Sequence, residues 1–303
     1  MHRTWFWGFR GFCGSVGGGA SLNKKDIKWA VLRIEGTNSE EESAQCMRDV
    51  GVQAEIVHLK QLLGDDVTKQ ERRKLNDFDG LWIAGGFSAG DYIRAGAILA
   101  ARMKSRMAPE IKQFIGAGKP MLGICNGFQI MVELGVLPNL TKGTAMTDLP
   151  TSVLNLNDSG HYECRPSLLR HANKGTCKFT TRIPKGDVRT VITSHAEGKF
   201  ILPSEAEYKR LFDQDQVVFQ YTDPEGSDKP KYPWLPNGAP HAIAGVCNPE
   251  GNVMGMMPHP ERVFWRHGHP DWTRTGLDAG RGWDVGDGRD IFESIVDYQV
   301  KKL

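Results

Sequence analysis

Cys125 lies between two glycines, in the run Gly123-Ile124-Cys125-Asn126-Gly127. A strand-like apolar segment precedes it and apolar residues at helical spacing follow it, which predicts a strand-to-helix junction at the cysteine. A sharp turn of this kind needs small neighbours and presents a nucleophile clear of the sheet edge. The unpaired N–H groups and the positive dipole end of the following helix favour the thiolate. The alternative interpretation is a buried cysteine beside flexible glycines.

A base and an acid that could serve this nucleophile lie in the Pro-His-Pro-Glu run 258–261, directly after an apolar segment. In an extended segment, residues i and i+2 project to the same side, so Glu261 is expected to reach the imidazole of His259. A nucleophilic cysteine requires a base, and the base requires a group that orients it. The spacing therefore predicts a Cys-His-Glu triad, the alternative being an exposed turn with two unrelated polar groups.

A third element is the Ala-Gly-Gly-Phe-Ser loop 84–88, at the end of another predicted strand. The backbone N–H of Gly86 or Phe87, together with that of Asn126, could form an oxyanion hole. Neither spacing typical of a phosphate-binding loop is present, which makes a nucleotide site the weaker interpretation. The glycine pair could also be a simple tight turn.

These residues require elements to position them, and the first half of the chain alternates between strand and helix patterns. Strands are predicted at 27–34, 54–58, 80–84 and 120–124, and helices at 39–50, 91–116 and 126–134, with Pro109 opening a new helix in the second of these. Shorter strands are predicted near 189–192, 217–221, 242–247 and 253–257. The pattern predicts an α/β fold, a three-layer, mostly parallel sheet with helices on both faces and antiparallel additions.

Composition excludes several classes of protein. Among 303 residues, 38 Lys and Arg balance 36 Asp and Glu to a net charge of +2, which argues against nucleic-acid binding. Charged residues interrupt every hydrophobic stretch, so no membrane helix is predicted. The six cysteines are scattered without a CxxC pair, as in proteins of reducing compartments. Residues 1–25 contain no acidic residue and are interpreted as a disordered or loosely docked extension, followed by one domain over 26–303.

The elbow and the Pro-His-Pro-Glu run resemble the class I (triad) glutamine amidotransferases. Within that family the chain resembles the glutaminase components of phosphoribosylformylglycinamidine synthases, because matching stretches occur in the expected order at 35–39, 85–96, 157–165, 195–200 and 255–262. The resemblance implies a flavodoxin-like fold. It also implies that Cys125 attacks the carboxamide of L-glutamine, that His259 and Glu261 complete the triad, and that a γ-glutamyl thioester forms.

Other roles are implied by the resemblance alone. Gln129 matches a position near the glutamine pocket, and His195 belongs to a motif near the active site, the alternative for His195 being a structural histidine. Arg94 is expected to support the partner interface or the local fold. The family implies a separate ATP-dependent synthetase subunit that carries ATP and Mg, a small accessory subunit, no cofactor in this chain, and a cytoplasmic location.

Some features depart from the family pattern. Ser194-His195-Ala196 replaces the more usual Ala-His-Gly, and residues 265–289 form a long polar insertion, which we hypothesise touches the synthetase or covers the pocket. His267 and His269 are interpreted as parts of a solvated loop, so no metal site is predicted. The alternatives are a class I glutaminase that serves another acceptor pathway, a DJ-1-like cysteine hydrolase, and a binding subunit without activity.

Overall fold

The computed structural model describes residues 23–274 and 285–302. The strands of this part are β1 (Lys28–Arg33), β2 (Gln53–His58), β3 (Gly80–Ile83), β4 (Met121–Ile124), β5 (Val153–Asn155), β6 (Glu163–His171), β7 (Val188–His195), β8 (Lys199–Ile201), β9 (Val217–Thr222), β10 (Ile243–Cys247) and β11 (Val253–Met256). Its helices are α1 (Glu40–Asp49), α2 (Leu59–Leu63), α3 (Ala97–Gly116), α4 (Asn126–Leu134), α5 (Glu205–Asp213) and α6 (Arg289–Lys302).

Nine strands form one mixed sheet in the order β2-β1-β3-β4-β11-β10-β9-β6-β7. The five strands from β2 to β11 are parallel, and the remaining four extend the sheet by antiparallel pairing. Every residue of β3, β4, β10 and β11 is buried, as expected for strands covered on both faces. The predicted α/β fold with antiparallel additions is confirmed.

The helices cover both faces of the parallel half. From β1 the chain moves outward to β2, whereas from β3 it moves the other way to β4, and right-handed crossovers then place α1 and α3 on opposite faces. Trp82 of β3 stacks on Phe292 of α6, with ring centroids 5.1 Å apart. The next residue, Ile83, lies against Gly127 of α4. The reversal between β1 and β3 is where doubly wound sheets place their binding crevice.

One expectation needs correction, and several elements were not predicted. Pro109 does not open a new helix: α3 continues through it, because Pro109 lies on the exposed side, where water can replace the lost hydrogen bond. The sequence reading missed β6, whose buried positions are partly polar, and α5, of which only Tyr208 and Leu211 are buried. Both elements follow residue 150, where shorter strands were expected.

The ends of the predicted domain are partly visible. Of the predicted extension, residues 1–22 lie outside the described residues, but the Lys25 carbonyl accepts a hydrogen bond of 2.6 Å from the Gln53 side chain of β2, which ties this residue to the edge of the sheet. The insertion 265–289 is described except for 275–284. Within the described ranges, no helix is long and apolar enough to cross a membrane.

Candidate active site

Cys125 occupies the turn between β4 and α4, with φ 52° and ψ −110°, a conformation that costs a non-glycine residue energy. Its N–H donates to the Met256 carbonyl of β11 over 2.9 Å, and its own carbonyl accepts from the Gln129 N–H over 3.1 Å. The flanking glycines are required by space, since a Cβ at Gly127 would lie 1.9 Å from the Ile83 carbonyl oxygen. The strand-helix elbow predicted from the sequence is therefore present.

His259 reaches the same edge of the sheet from the neighbouring strand. β11 runs parallel to β4 with Met256 opposite Ile124, so the segments that follow both strands emerge side by side. The His259 N–H donates to the Ile192 carbonyl of β7 over 2.8 Å, which fixes the backbone. Its Nδ1 is hydrogen-bonded to Oε1 of Glu261, and both side chains are buried.

The structure brings His259 and Glu261 together by a different geometry from the expected one. The segment is not extended throughout, because Pro260–Val263 forms a short 3-10 helix directly after His259. Pro260 stands at its first position, where the missing N–H costs nothing. The i, i+2 pairing therefore results from a tight turn and not from the alternation of a strand.

The pKa of His259 is set by burial and by the two charged groups beside the ring. Burial alone would lower the pKa of His259, but the Glu261 carboxylate and the Cys125 sulfur outweigh burial and raise it above the usual value. His259 Nε2 is buried and has no well-formed hydrogen bond among the described residues. A Cβ at Gly85 would lie 2.8 Å from Cε1 of His259 and 3.5 Å from Cβ of Cys125, so the ring and the cysteine meet above this glycine.

The glycine loop follows β3 and pairs with the loop that follows β1. Gly86 forms an isolated antiparallel bridge with Thr37 and has φ 144°, which favours glycine. The Phe87 N–H donates to the Gly36 carbonyl over 2.8 Å, so it is not available for an oxyanion, which corrects that part of the sequence prediction. Asn126 begins α4, and its side-chain oxygen accepts from the Ser88 N–H over 3.1 Å. The candidates that remain for the oxyanion hole are the N–H groups of Gly86 and Asn126.

Gln129 does not point freely into a pocket. Its amide nitrogen donates to the Glu197 carbonyl over 2.6 Å, and its oxygen accepts from the Asn126 side chain over 2.9 Å. The amide nitrogen thus joins α4 to the loop after β7, and the amide oxygen is held by Asn126 of the same helix. This network supports a positioning function better than the predicted contact with substrate.

His195 is buried at the end of β7, where its Nδ1 is 3.1 Å from the side-chain oxygen of Asn157. Burial, followed by the charge of His259, lowers the pKa of His195 to about 3, so the ring is neutral near pH 7. The ring lies directly on Gly198, where a Cβ would be 2.1 Å from Cε1. These contacts favour the structural alternative for His195, close to the site but packed into the fold.

Two residues near the nucleophile were not identified from the sequence. The Cys125 thiol, 6% exposed, donates to the Ser194 carbonyl over 3.4 Å, and the Tyr162 hydroxyl donates to the same oxygen over 3.0 Å. Both lie in or beside stretches that carry the family resemblance, but nothing in their spacing indicates contact with Cys125. The pairing of β6 with β7 creates that contact.

Arg94 and the described residues of the insertion make contacts outside the triad. The Arg94 guanidinium forms a two-point ion pair with Glu133 of α4, which supports the local fold. Within the described residues, His269 accepts from the Asp271 N–H over 3.0 Å, and no group of three or more His, Cys, Asp or Glu side chains is arranged to hold a metal. The predicted contact of the insertion with a synthetase stays a prediction.

The arrangement can carry out acyl transfer. A cysteine on an elbow, a histidine beside it and a buried carboxylate on the far ring nitrogen are the parts of a nucleophile-base-orienter triad. Backbone N–H groups next to the sulfur can stabilise an oxyanion.

Comparison with known proteins assigns this geometry to a family. Residues 26–299 match the model of the CobB/CobQ-like glutamine amidotransferase domain. The phosphoribosylformylglycinamidine synthase subunit PurQ of Archaeoglobus fulgidus is 47% identical over 283 residues, which cover 92% of this chain and 100% of the relative. The PurQ subunit of Picrophilus torridus is 39% identical, covering 83% of this chain and 93% of the relative.

Solved structures agree at the level of the fold. A chain in the structure of PurLQS from Thermotoga maritima superposes with a TM-score of 0.64 at 27% identity, covering 90% of this chain and 99% of that one. A glutamine amidotransferase from the same organism, at 15% identity and a TM-score of 0.51, shares the fold.

Proposed function

The chain belongs to the CobB/CobQ-like glutamine amidotransferase family, and we propose that it releases ammonia from L-glutamine through Cys125, His259 and Glu261. It is an enzyme, the glutaminase subunit of a phosphoribosylformylglycinamidine synthase in purine biosynthesis, as its near full-length similarity to PurQ subunits indicates. The observation that carries the proposed site is the placement of Cys125 on a strained elbow beside a buried His259–Glu261 pair.

The proposed reaction begins with the transfer of the Cys125 proton to Nε2 of His259. The sulfur attacks the carboxamide carbon of glutamine, and the oxyanion is stabilised by the N–H groups of Gly86 and Asn126. His259 gives its proton to the leaving nitrogen, so ammonia departs and a γ-glutamyl thioester remains. Water then hydrolyses the thioester to glutamate and restores the thiol. Glu261 holds the imidazole in the orientation that both proton transfers need.

The proposed partner is a separate ATP-dependent synthetase subunit that binds ATP and Mg and uses the ammonia to form an amidine. A small accessory subunit completes the proposed complex. Association with a synthetase subunit is indicated by the similarity to PurQ and to a chain of PurLQS. We place the complex in the cytoplasm, where purine synthesis is expected to occur.

The proposal is tested by glutamate release from L-glutamine, with the chain alone and with the synthetase, ATP and formylglycinamide ribonucleotide. We expect Cys125→Ala to lower this activity at least about 1,000-fold, because the residue forms the covalent intermediate. In the same complex, amidine formation from added ammonium chloride should persist, which shows that the variant folds and assembles. Undiminished glutamate release by Cys125→Ala would refute the proposed nucleophile.

A further inference from the structure

The Ser194 carbonyl oxygen lies between two hydroxyl or thiol donors. It accepts from the Cys125 thiol over 3.4 Å and from the Tyr162 hydroxyl over 3.0 Å. Tyr162 Oη is also 2.8 Å from the Ser194 hydroxyl. The reaction proposed above assigns no part to Tyr162 or Ser194, although both are within two hydrogen bonds of the nucleophilic sulfur.

The fold holds this arrangement firmly. Tyr162 directly precedes β6, and Cys164 pairs with Ser194 across the β6–β7 ladder. The carbonyl of Ile192, two residues earlier on β7, accepts from the His259 N–H over 2.8 Å. One strand therefore holds the base through one carbonyl and the nucleophile through the next carbonyl on the same side.

The ring of Tyr162 adds little to the core. The residue is 46% exposed, and its ring is 6.2 Å from that of Phe87, which is 45% exposed. The hydroxyl is the part that reaches inward to Ser194. A tyrosine placed only for packing would bury the ring and leave the polar end in water.

The thiol proton has two competing positions. The sulfur is 3.4 Å from the Ser194 carbonyl oxygen, which can accept the thiol proton, whereas the reaction requires that proton on Nε2 of His259, whose pKa is itself raised in part by Cys125. When the proton leaves, the negative end of the Ser194 carbonyl dipole faces a sulfur anion. A second donor on that oxygen offsets part of its negative charge and weakens its hold on the neutral thiol.

We propose that Tyr162 is a positioning residue that acts through the Ser194 carbonyl and favours transfer of the Cys125 proton to His259. This inference rests on the function proposed above. Tyr162 does not touch the reacting atoms in this account, so its effect is expected on the ionisation of the thiol and on kcat, with little effect on KM.

A substitution at Tyr162 leaves the other ionisable groups around Cys125 and Tyr162 in place. His259 faces Cys125 from the segment after β11, and Glu261 acts on Cys125 through His259. Tyr221 of β9 also interacts with Cys125. Cys164 and Arg262 act on the Tyr162 hydroxyl by charge, and Ser194 Oγ lies 3.9 Å from the Cys164 sulfur. Burial and the charge of His259 lower the pKa of His195, so that its ring is neutral near pH 7. A change seen in Tyr162→Phe would therefore arise from the lost hydroxyl.

The test is the pH dependence of Cys125 alkylation by iodoacetamide, followed by mass spectrometry of the peptide that contains Cys125. We expect Tyr162→Phe to slow alkylation about three- to tenfold below the midpoint of the profile and to move the midpoint to higher pH. Glutamine hydrolysis by the complex should show a similar loss in kcat with KM changed less than twofold. A profile that superposes on that of the unmodified chain would overturn the inference.

Two further variants define the route. Tyr232→Phe removes another tyrosine hydroxyl, which accepts from Arg165 over 2.8 Å, and it should leave the Cys125 profile unmoved. Ser194→Ala keeps the carbonyl and removes only the hydroxyl that lies 2.8 Å from Tyr162 Oη, so it should change the Cys125 profile less than Tyr162→Phe does. If Ser194→Ala reproduced Tyr162→Phe, the route through the carbonyl would be wrong.

The outcomes also separate this inference from the proposed function. If the unmodified complex hydrolyses glutamine and Tyr162→Phe matches it in both measurements, only the role of Tyr162 fails. If the unmodified complex releases no glutamate while alkylation of Cys125 still depends on Tyr162, the proposed function fails and the positioning role stands.

Discussion

His195 is a residue that lies near the active site but is expected to affect the stability of the fold. Its pKa is lowered to about 3 by burial and by His259, whereas an exposed histidine has a pKa near 6.5. Between these values the unfolded chain binds a proton that the folded chain does not. The folded-state pKa is depressed, so this histidine lowers the free energy of unfolding as the pH falls below about 6.5.

We therefore expect His195→Gln to reduce acid sensitivity. Between pH 7 and pH 5 the single histidine accounts for a loss of about 2 kcal/mol in the free energy of unfolding, which the variant lacks. Urea unfolding at the two pH values measures the difference. The control is His241→Gln, whose ring is 38% exposed and pairs with Glu205 at the surface. An equal loss of stability in His195→Gln and the unmodified chain would show that the buried ring is not the cause.

For single residues, the sequence predicts the site where the reactive side chain and the local backbone geometry are encoded in the same short segment. Cys125 is identified by the glycines on either side of it, and His259 and Glu261 are identified by the prolines next to them, because these spacings are local in the sequence. Tyr162 and Ser194 are not identified, since their contact with Cys125 depends on the register of β6 against β7, and a register between distant strands leaves no local signal.

Among the elements, α4 depends on close approach to β3. Gly127 lies on the first turn of α4, and a Cβ there would be 1.9 Å from the Ile83 carbonyl oxygen, a backbone atom that cannot move independently. Gly116 at the end of α3 is also helical, but a Cβ there meets no atom within 4 Å. The same substitution therefore has opposite expected effects at the two positions.

We predict that Gly127→Ala lowers the free energy of unfolding by about 3 kcal/mol or more, because either α4 or β3 must shift. Gly116→Ala should raise it by about 0.5 kcal/mol through reduced backbone entropy of the unfolded chain. Chemical denaturation of both variants provides the comparison. Equal stability of Gly127→Ala and Gly116→Ala would mean that the elbow helix is not held by this contact.

The parallel half of the sheet was predictable because its strands are continuous apolar runs that end in glycines. β6 was missed for a physical reason. Its buried positions include the polar residues Glu163, Ser167 and His171, so the alternation of buried and exposed side chains is not matched by an alternation of apolar and polar residues in the sequence. Pro166 within it also argues against a strand, although the ladder with β7 accommodates it. α5 had a usable signal in Ser204, whose side chain caps the N–H of Glu207.

For the molecule as a whole, the surface beside the active site has the character of an interface. The loop after Phe87 is strained, with positive φ at Ala89 and Asp91, and Asp91 accepts from the Asn126 side chain over 3.2 Å. It presents Tyr92, 89% exposed, and Ile93, 74% exposed, next to the start of α4. The sequence could not show this, because an apolar pair after a strand is equally consistent with a buried helix start.

We expect the substitution of both Tyr92 and Ile93 by serine to weaken binding of the synthetase subunit at least about tenfold, since a few side chains, tyrosine prominent among them, contribute most of the binding energy of an interface. The net charge of +2 offers little general attraction, so local apolar contacts should carry the affinity. Titration calorimetry with the synthetase measures the Kd, and Cys125 alkylation should stay unchanged.

Leu149→Ser is the matched control, because Leu149 is 76% exposed and its carbonyl accepts from Thr147, whose N–H donates to Gly135 at the end of α4 opposite Cys125. A loss of affinity confined to the Tyr92 and Ile93 variant would place the synthetase over the mouth of the active site, where ammonia is released. An unchanged Kd, or an equal loss in Leu149→Ser, would contradict that placement. Since Asp91 joins this loop to Asn126, docking at Tyr92 would also act directly on the helix that presents the nucleophile.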